Sequence, residues 1–203
     1  MYVNNWYSSR YKYVYFNNSI KTVIELMEKT KEVIIILRED NTIYNMINID
    51  DYKFLIEKDE KTKLYEVYDP VEFFLYGDDM VEDAVHLMLE NEIRVLPVVD
   101  TEMYPMGIFG FFEVLRAFKG ILGMDEMGTK IMLILDDTPG KLEYILNVLS
   151  KENINILSLL TNKIDDKKRL ITIKLNIKNV NLVSDILDDA KIDYETIFEE
   201  GLE

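Results

Sequence analysis

The chain repeats itself. Ser19-Ile-Lys-Thr-Val-Ile-Glu-Leu-Met27 aligns with Met80-Val-Glu-Asp-Ala-Val-His-Leu-Met88 at an offset of 61 residues. Leu26 and Met27 fall on Leu87 and Met88, and Ile20, Val23 and Ile24 fall on Val81, Ala84 and Val85. Apolar positions at i, i+3, i+4 and i+7 describe one buried helix stripe. Each copy then enters an apolar burst short enough to be a buried strand, Val33–Leu37 and Arg94–Val99. A turn follows (Glu39–Asn41; Asp100–Glu102), then a second apolar segment (Ile43–Ile47; Met106–Phe109). A one-residue insertion in the turn moves the offset to 62 and sets Asn45, Asn48 and Asp51 against Gly107, Gly110 and Glu113. A short strand precedes each helix, Tyr13–Phe16 and Glu72–Tyr76. The order strand, helix, strand, strand, helix therefore occurs twice, over residues 13–62 and 63–118, behind an aromatic-rich segment at 1–12.

Three glycines beside acidic residues make 119–128 the expected linker. Beyond it, over 129–203, the pattern is βαββαβ. Strands are expected at Ile131–Leu135, Ile154–Thr161, Leu170–Ile177 and Tyr194–Phe198, with helices at Lys141–Glu152 and Val180–Ala190. Thr138 is the expected N-cap of the first helix, with Pro139 in its opening turn. The fold class is α+β, and the C-terminal pattern is ferredoxin-like.

Composition narrows the function. The 203 residues carry no Cys, which excludes disulfides, thiolate metal sites and a cysteine nucleophile. The single histidine, His86, leaves no multi-histidine metal centre and matches Glu25, a surface position. A formal charge of -15 opposes nucleic acid and anionic membranes as partners. No apolar run is long enough to span a bilayer, and the first ten residues lack the order of a signal peptide, so a cytoplasmic protein is expected. Asp79-x-x-Glu82 reads as a capping box opening the second repeat's helix rather than a cation site. No nucleophile–base pair is visible, and the expectation is a non-enzyme with no catalytic residues and no metal.

The doubled unit resembles a pair of CBS (cystathionine-β-synthase-type) domains, through Met80 to Asp100 and the Gly107-Ile-Phe segment that follows. The last unit resembles an ACT domain, through Asp137-Thr-Pro-Gly-Lys-Leu142 and Glu152-Asn-Ile-Asn-Ile156. A tandem CBS pair (a Bateman module), a Gly-containing linker and an ACT domain form the layout of acetoin-utilisation AcuB-like proteins. The resemblance implies a regulatory sensor without a required cofactor. Its CBS pair would bind an adenosyl compound such as AMP, ATP or S-adenosylmethionine between the repeats. Its ACT domain would dimerise and bind an amino acid, and the homodimer would act on a regulated protein partner. The alternative is a dimeric interaction scaffold with degenerate ligand sites.

On that resemblance the nucleotide-binding residues are Asn48 and Asp51 in the first repeat and Gly110 and Glu113 in the second, with Arg94 facing a phosphate. A carboxylate can accept both ribose hydroxyls, while free helix N–H groups receive phosphate oxygens. Asn48 and Gly110 replace the family's hydroxyl residue, and Glu113 is one methylene longer than its aspartate. Read without the resemblance, Asp51 and Glu113 are helix-start acids and Arg94 is a surface cation. Asp137, Gly140 and Asn155 match positions that hold an amino-acid effector, in what is otherwise an ordinary strand-to-helix turn. Tyr2, Trp6, Tyr7, Tyr11, Tyr13 and Tyr15 are expected over a cleft, on a partner subunit, or stacked on adenine.

Overall fold

The computed structural model describes residues 1–200. They form two compact units, Met1–Ala117 and the remainder from Phe118 onward. The first unit holds two three-stranded sheets. In the first repeat β1 (Lys12–Tyr15), α1 (Ile20–Thr30), β2 (Ile34–Leu37) and β3 (Ile43–Ile47) lead to a 3-10 turn at Ile49–Asp51 and a short α2 (Tyr52–Ile56). In the second, β4 (Leu75–Tyr76), α3 (Val81–Glu90), β5 (Val95–Val99) and β6 (Pro105–Gly110) lead to α4 (Phe111–Ile121). The expected strand at Glu72–Tyr76 is thus reduced to its last two residues. The Phe74 ring meets Tyr76 edge-on in the shortened segment.

The helix stripes lie where the periodicity puts them. Ile20, Val23 and Met27 of α1 and Val81, Ala84 and Met88 of α3 are buried. Fully burying a Val, Ile or Met side chain stabilises by about 1.5–3 kcal/mol. Ser19 and Met80 are extended N-caps. Asp79 is not part of a cap: its Oδ2 accepts the Tyr76 N–H at 2.7 Å, and Glu82 pairs instead with the Met1 amino group at 3.2 Å. The reason is register, since the helix opens one residue later than a cap at Asp79 requires.

Both sheets share one plan, β1 parallel to β2 and β2 antiparallel to β3, repeated by β4, β5 and β6. Register shifts fall between Ile36 and Leu37 and between Val98 and Val99, 62 residues apart. Left-handed backbone marks where the offset changes. Lys31 (φ 53°) matches Glu92 (φ 55°) at 61, whereas Asn41 (φ 66°) matches Met103 (φ 67°) at 62. The additional residue therefore lies between helix and strand, where Ile93-Arg94-Val95 stands against Glu32-Val33, and not in the turn after the strand.

The repeat also begins earlier than residue 13. A 3-10 turn at Val3–Asn5 recurs at Leu64–Glu66, and each packs on the repeat that its own strand does not join. Val3 and Asn4 donate to the carbonyls of Asp79 and Gly77, just as Leu64 and Tyr65 donate to those of Asn18 and Phe16. Val3 is buried in the second repeat's core and Leu64 in the first's. The two leading segments are exchanged, so 1–12 is the opening of the first repeat rather than a separate appendage.

In the second unit β7 (Gly128–Asp136), α5 (Lys141–Lys151), β8 (Ile156–Lys163), β9 (Lys168–Leu175), α6 (Val180–Asp189) and β10 (Thr196–Glu200) form one antiparallel sheet of order β10-β7-β9-β8. That is the βαββαβ ferredoxin-like topology. Ile131, Leu133, Ile171 and Ile173 pack on Ile145, Leu149, Val183 and Leu187 of the helices. Of the expected linker 119–128, residues 119–121 finish α4 and Gly128 opens β7. Thr138 does not cap α5; its N–H donates to the Asp136 carbonyl, and the N-cap is Gly140 in the left-handed region at φ 89°. The glycine is needed because an L side chain is strained at that φ.

Candidate functional site

At the start of each repeat's last helix an acid turns back on the strand before it. The Asn48 N–H donates to Asp51 Oδ2 at 2.7 Å, and the Gly110 N–H donates to Glu113 Oε2 at 3.1 Å. Such N-terminal acids satisfy a free amide and oppose the helix dipole. Beyond that shared bond the two repeats part.

Glu113 is buried, 6% exposed, and its second oxygen accepts from Arg116 Nη1 at 3.3 Å. Both carboxylate oxygens thus have protein partners. Gly110 faces the start of β5: a Cβ there would stand 3.0 Å from the Arg94 carbonyl oxygen and 3.2 Å from Val95 Cβ. A hydroxyl-bearing side chain would need β5 to give way.

Asp51 is half-buried, and its bond to Asn48 leaves Oδ1 outside. Burial pushes its carboxyl above the ordinary range, against the Asn48 hydrogen bond, and the Asp50 charge adds to the rise. Asn48 Oδ1 is buried and turned to the Asp51 N–H as the other half of a capping box, at a geometry short of a full hydrogen bond. The buried hydroxyl of Tyr68 has no partner. Burial, then the charge of Asp51, raises that phenol well above its ordinary value. Tyr68 belongs to the exchanged segment, held along β3 by Tyr44, whose hydroxyl donates to the Tyr68 carbonyl at 2.7 Å. Arg94 crosses from the second repeat to Asp50 at 2.8 Å, with both side chains largely exposed. The structure thus gathers Asn48, Asp51 and, through Asp50, Arg94 at one helix start, while Gly110 and Glu113 are at another.

Tyr68 escaped the sequence reading because it lies outside the motif. Its signal was available: at the offset of 61, Tyr7 and Tyr68 coincide. Of the other N-terminal aromatics, Trp6 and Tyr7 pack against the second repeat's core, with Trp6 Nε1 buried and unpartnered. The Tyr11 hydroxyl donates to the Pro105 carbonyl at 3.1 Å.

In the second unit Asp137 pairs with Arg169 Nε at 2.9 Å beside the exposed Gly140. A cavity of about 480 Å³ opens there, lined by Asp136, Gly140, Lys141, Tyr144, Lys168 and Lys191 among others. Asn155 is not with them. It lies past the far end of α5, exchanging backbone bonds with Asn176, whose Oδ1 accepts the Asn155 N–H and whose N–H donates to the Asn155 carbonyl, both at 3.0 Å. An 11-residue helix spans about 16 Å, so one chain does not bring Asn155 to Asp137. Among the described residues no cluster of three or more His, Asp or Glu suited to a metal ion occurs. No described helix is long and apolar enough to cross a membrane.

Residues 66–120 match the family model of the CBS domain. The cytosolic domain of the Mg2+ channel MgtE, solved in complex with ATP, is 23% identical with a TM-score of 0.51, and covers 57% of this chain. This chain spans about half of that structure, 48%. A CBS domain pair/ACT domain protein of Thermotoga maritima is 22% identical with a TM-score of 0.51, over 58% of this chain and 96% of its own. The CBS domain pair of protein MJ0100, solved with 5′-methylthioadenosine and S-adenosyl-L-methionine, is 21% identical with a TM-score of 0.52, over 59% of this chain and 97% of its own. No curated protein resembles the chain closely enough to count as a match. The likeness fixes the fold of the first unit: a tandem CBS pair.

Proposed function

We propose that the chain is a non-catalytic regulatory sensor whose CBS pair binds an adenosyl compound. The observation that carries this reading is the buried, unpartnered hydroxyl of Tyr68, packed on the first repeat's core, in the repeat whose half-buried Asp51 has only Oδ2 engaged. A polar group buried without a partner costs about 1–3 kcal/mol. A hydroxylated ligand would repay that cost, as ribose does against a carboxylate. The adenosyl ligands of the similar CBS pairs supply the chemical class.

The second unit is read as an ACT-type domain that joins two copies and takes an amino acid. Its topology fits, and the separation of Asp137 from Asn155 fits a site completed across a dimer, where one copy's turn meets the other's Asn155. The exposed Phe111, Phe112 and Leu115 on α4 also suit burial against a second copy. Light scattering at micromolar concentration checks the dimer, and a monomer would contradict it. The same homodimer would present its ligand state to a regulated protein in the cytoplasm.

A thermal-shift panel of AMP, ADP, ATP, S-adenosylmethionine, NADH and the common amino acids tests the sensor. A ligand at 100 times its Kd stabilises by about 2.7 kcal/mol, a shift of several degrees for units of this size. The reading requires an adenosyl shift that Asp51→Ala abolishes. If no compound shifts the melt, the dimeric scaffold is the better account, and the self-satisfied Glu113–Arg116 pair is the observation that favours it.

A further inference from the structure

We infer that the free edge along the C-terminal half of β7 is a docking slot for an extended, acidic segment of a partner protein, which joins the sheet there as a short added strand. The inference needs no ligand in the first unit and stands apart from the sensor reading. Its root is a mismatch in strand length. On one side β9 accompanies β7 to its end, with Asp136 opposite Lys168. On the other, β10 begins only at Thr196, opposite Met132. Among the described residues, Leu133 to Asp136 therefore lack a strand neighbour on that edge, about 13 Å of strand. The end of α6 explains the gap. Lys191 turns left-handed at φ 54°, the Ile192 N–H donates back to the Leu187 carbonyl at 2.9 Å, and buried Ile192 draws the chain into the core before β10 can start. Peptide groups alternate in direction along an antiparallel strand. The Met132 carbonyl accepts the Glu195 N–H on the β10 side, and the Asp137 N–H donates to the Lys167 carbonyl on the β9 side. The N–H and carbonyl of Ile134 thus point to the open edge, where no described strand meets them.

The walls of the slot state what would enter it. The cavity of about 480 Å³ beside Ile134 is lined by Lys141, Lys168 and Lys191 and by two acids, Asp136 and Asp193. Lys141 is 3.9 Å from Asp136, whereas Lys168 and Lys191 have no ion-pair partner among the described residues. In a chain of 38 acids against 23 Lys plus Arg, a cavity with more ammoniums than carboxylates stands against the general field. An open strand edge is a template for another extended chain, and pockets beside it choose the side chains. Here the cationic walls choose carboxylates. The Ile134 side chain, 38% exposed, offers apolar contact to the residues between them. The slot is complete within one copy, unlike the amino-acid site that Asp137 and Asn155 would build across two.

Fluorescence anisotropy of a blocked, dye-labelled pentapeptide of alternating glutamate and valine, titrated with the full chain, tests this. Saturable binding is expected, weakened by added salt and about tenfold by the double variant Lys168→Glu, Lys191→Glu. Ile134→Pro deletes an N–H that the ladder does not use, a change tolerated at a free edge. It should weaken the peptide about fivefold, with circular dichroism showing both variants folded. Should the proline variant unfold, a peptide N-methylated at alternate amides, unable to pair, reads the same bond from the ligand's side and must bind as weakly. Equal binding of a lysine–valine counterpart would overturn the inference, as would undiminished binding to folded Ile134→Pro. Displacement of the labelled peptide by free glutamate as readily as by the unlabelled peptide would overturn it too, showing an anion pocket in place of a strand slot. No binding of the acidic peptide would leave the lysines as guards of an open edge, and the inference would fall. None of these outcomes bears on the thermal shift by which the sensor reading stands or falls.

Discussion

Lys174 is wholly buried, and its ammonium donates to the carbonyl oxygen of Gly123 at 2.8 Å, tying the strand β9 to the segment that precedes β7. Glu200 Oε2 lies 3.1 Å from the same ammonium and 2.9 Å from that of Lys130. A buried ammonium persists only where charge and carbonyl oxygens replace its lost water. Lys174→Met keeps the volume but leaves the Gly123 carbonyl without its donor. The variant should lose about 1–3 kcal/mol in the second unit, read as a lower midpoint in urea. An unchanged midpoint would show that the ammonium's desolvation cancels its bonds.

Acid should affect the two units differently. The hydrogen bond from Lys130, with that from Lys174 and the charges of both, holds Glu200 below the ordinary carboxylate range despite partial burial. A depressed folded-state value means that its stabilisation is present above the unfolded value of about 4.3 and is lost as pH falls through the folded one. Asp51 in the first unit shifts the other way. The only tryptophan, Trp6, lies in the first unit and reports on it alone. Far-ultraviolet circular dichroism should therefore fall at a higher pH than Trp6 fluorescence changes, and Glu200→Gln should narrow the gap. Coincident transitions in the parent protein would contradict it.

The exchanged segments give a test of their own. Val3 and Leu64 are fully buried, each in the repeat its own strand does not join. Leu64→Ala should cost about 2–5 kcal/mol and Val3→Ala somewhat less, as truncation leaves a cavity. Removing residues 1–8 should destabilise the second repeat as well, because the Val3–Asp79, Asn4–Gly77 and Ser8–Ile108 bonds go with it. Urea unfolding followed by circular dichroism reads all three. A truncated chain as stable as the parent would show the segment to be adventitious.

What the sequence disclosed follows from what has a period. The stripe Ile20, Val23, Met27 and its copy Val81, Ala84, Met88 were legible because helices advertise a buried face every three or four residues. The alternation in β9 was legible for a similar reason. The exchange of leading segments was not, since its anchors are single apolar residues, Val3 and Leu64, in otherwise irregular chain. The place of the additional residue was hidden because Val33–Leu37 and Val95–Val99 are both uniformly apolar and can be slid along one another. Only the left-handed residues Lys31, Glu92, Asn41 and Met103 fix the alignment, and φ is not written in side chains that lack glycine's signature. The same limit hid Tyr68, whose packing on the first repeat's core depends on the exchange.

Asp51 sets function against stability. Burial raises its carboxyl above the ordinary range, so the folded chain holds that proton more tightly than the unfolded one. For an acid shifted this way, folding is most favoured below the unfolded value of about 3.9. The advantage declines as pH rises toward the folded value, and above both the buried charge is a standing cost. Asp51→Asn keeps an oxygen for the Asn48 N–H and removes the charge beside Asp50. At pH 7 the unliganded variant should melt at a higher temperature than the parent, and the difference should vanish as pH falls below about 3.9. The same variant should fail to respond to the adenosyl compound that stabilises the parent. Calorimetry with and without that compound, at both pH values, reads the two effects separately. A variant less stable than the parent at pH 7 would show that the carboxylate is a structural cap, retained for the helix rather than for a ligand.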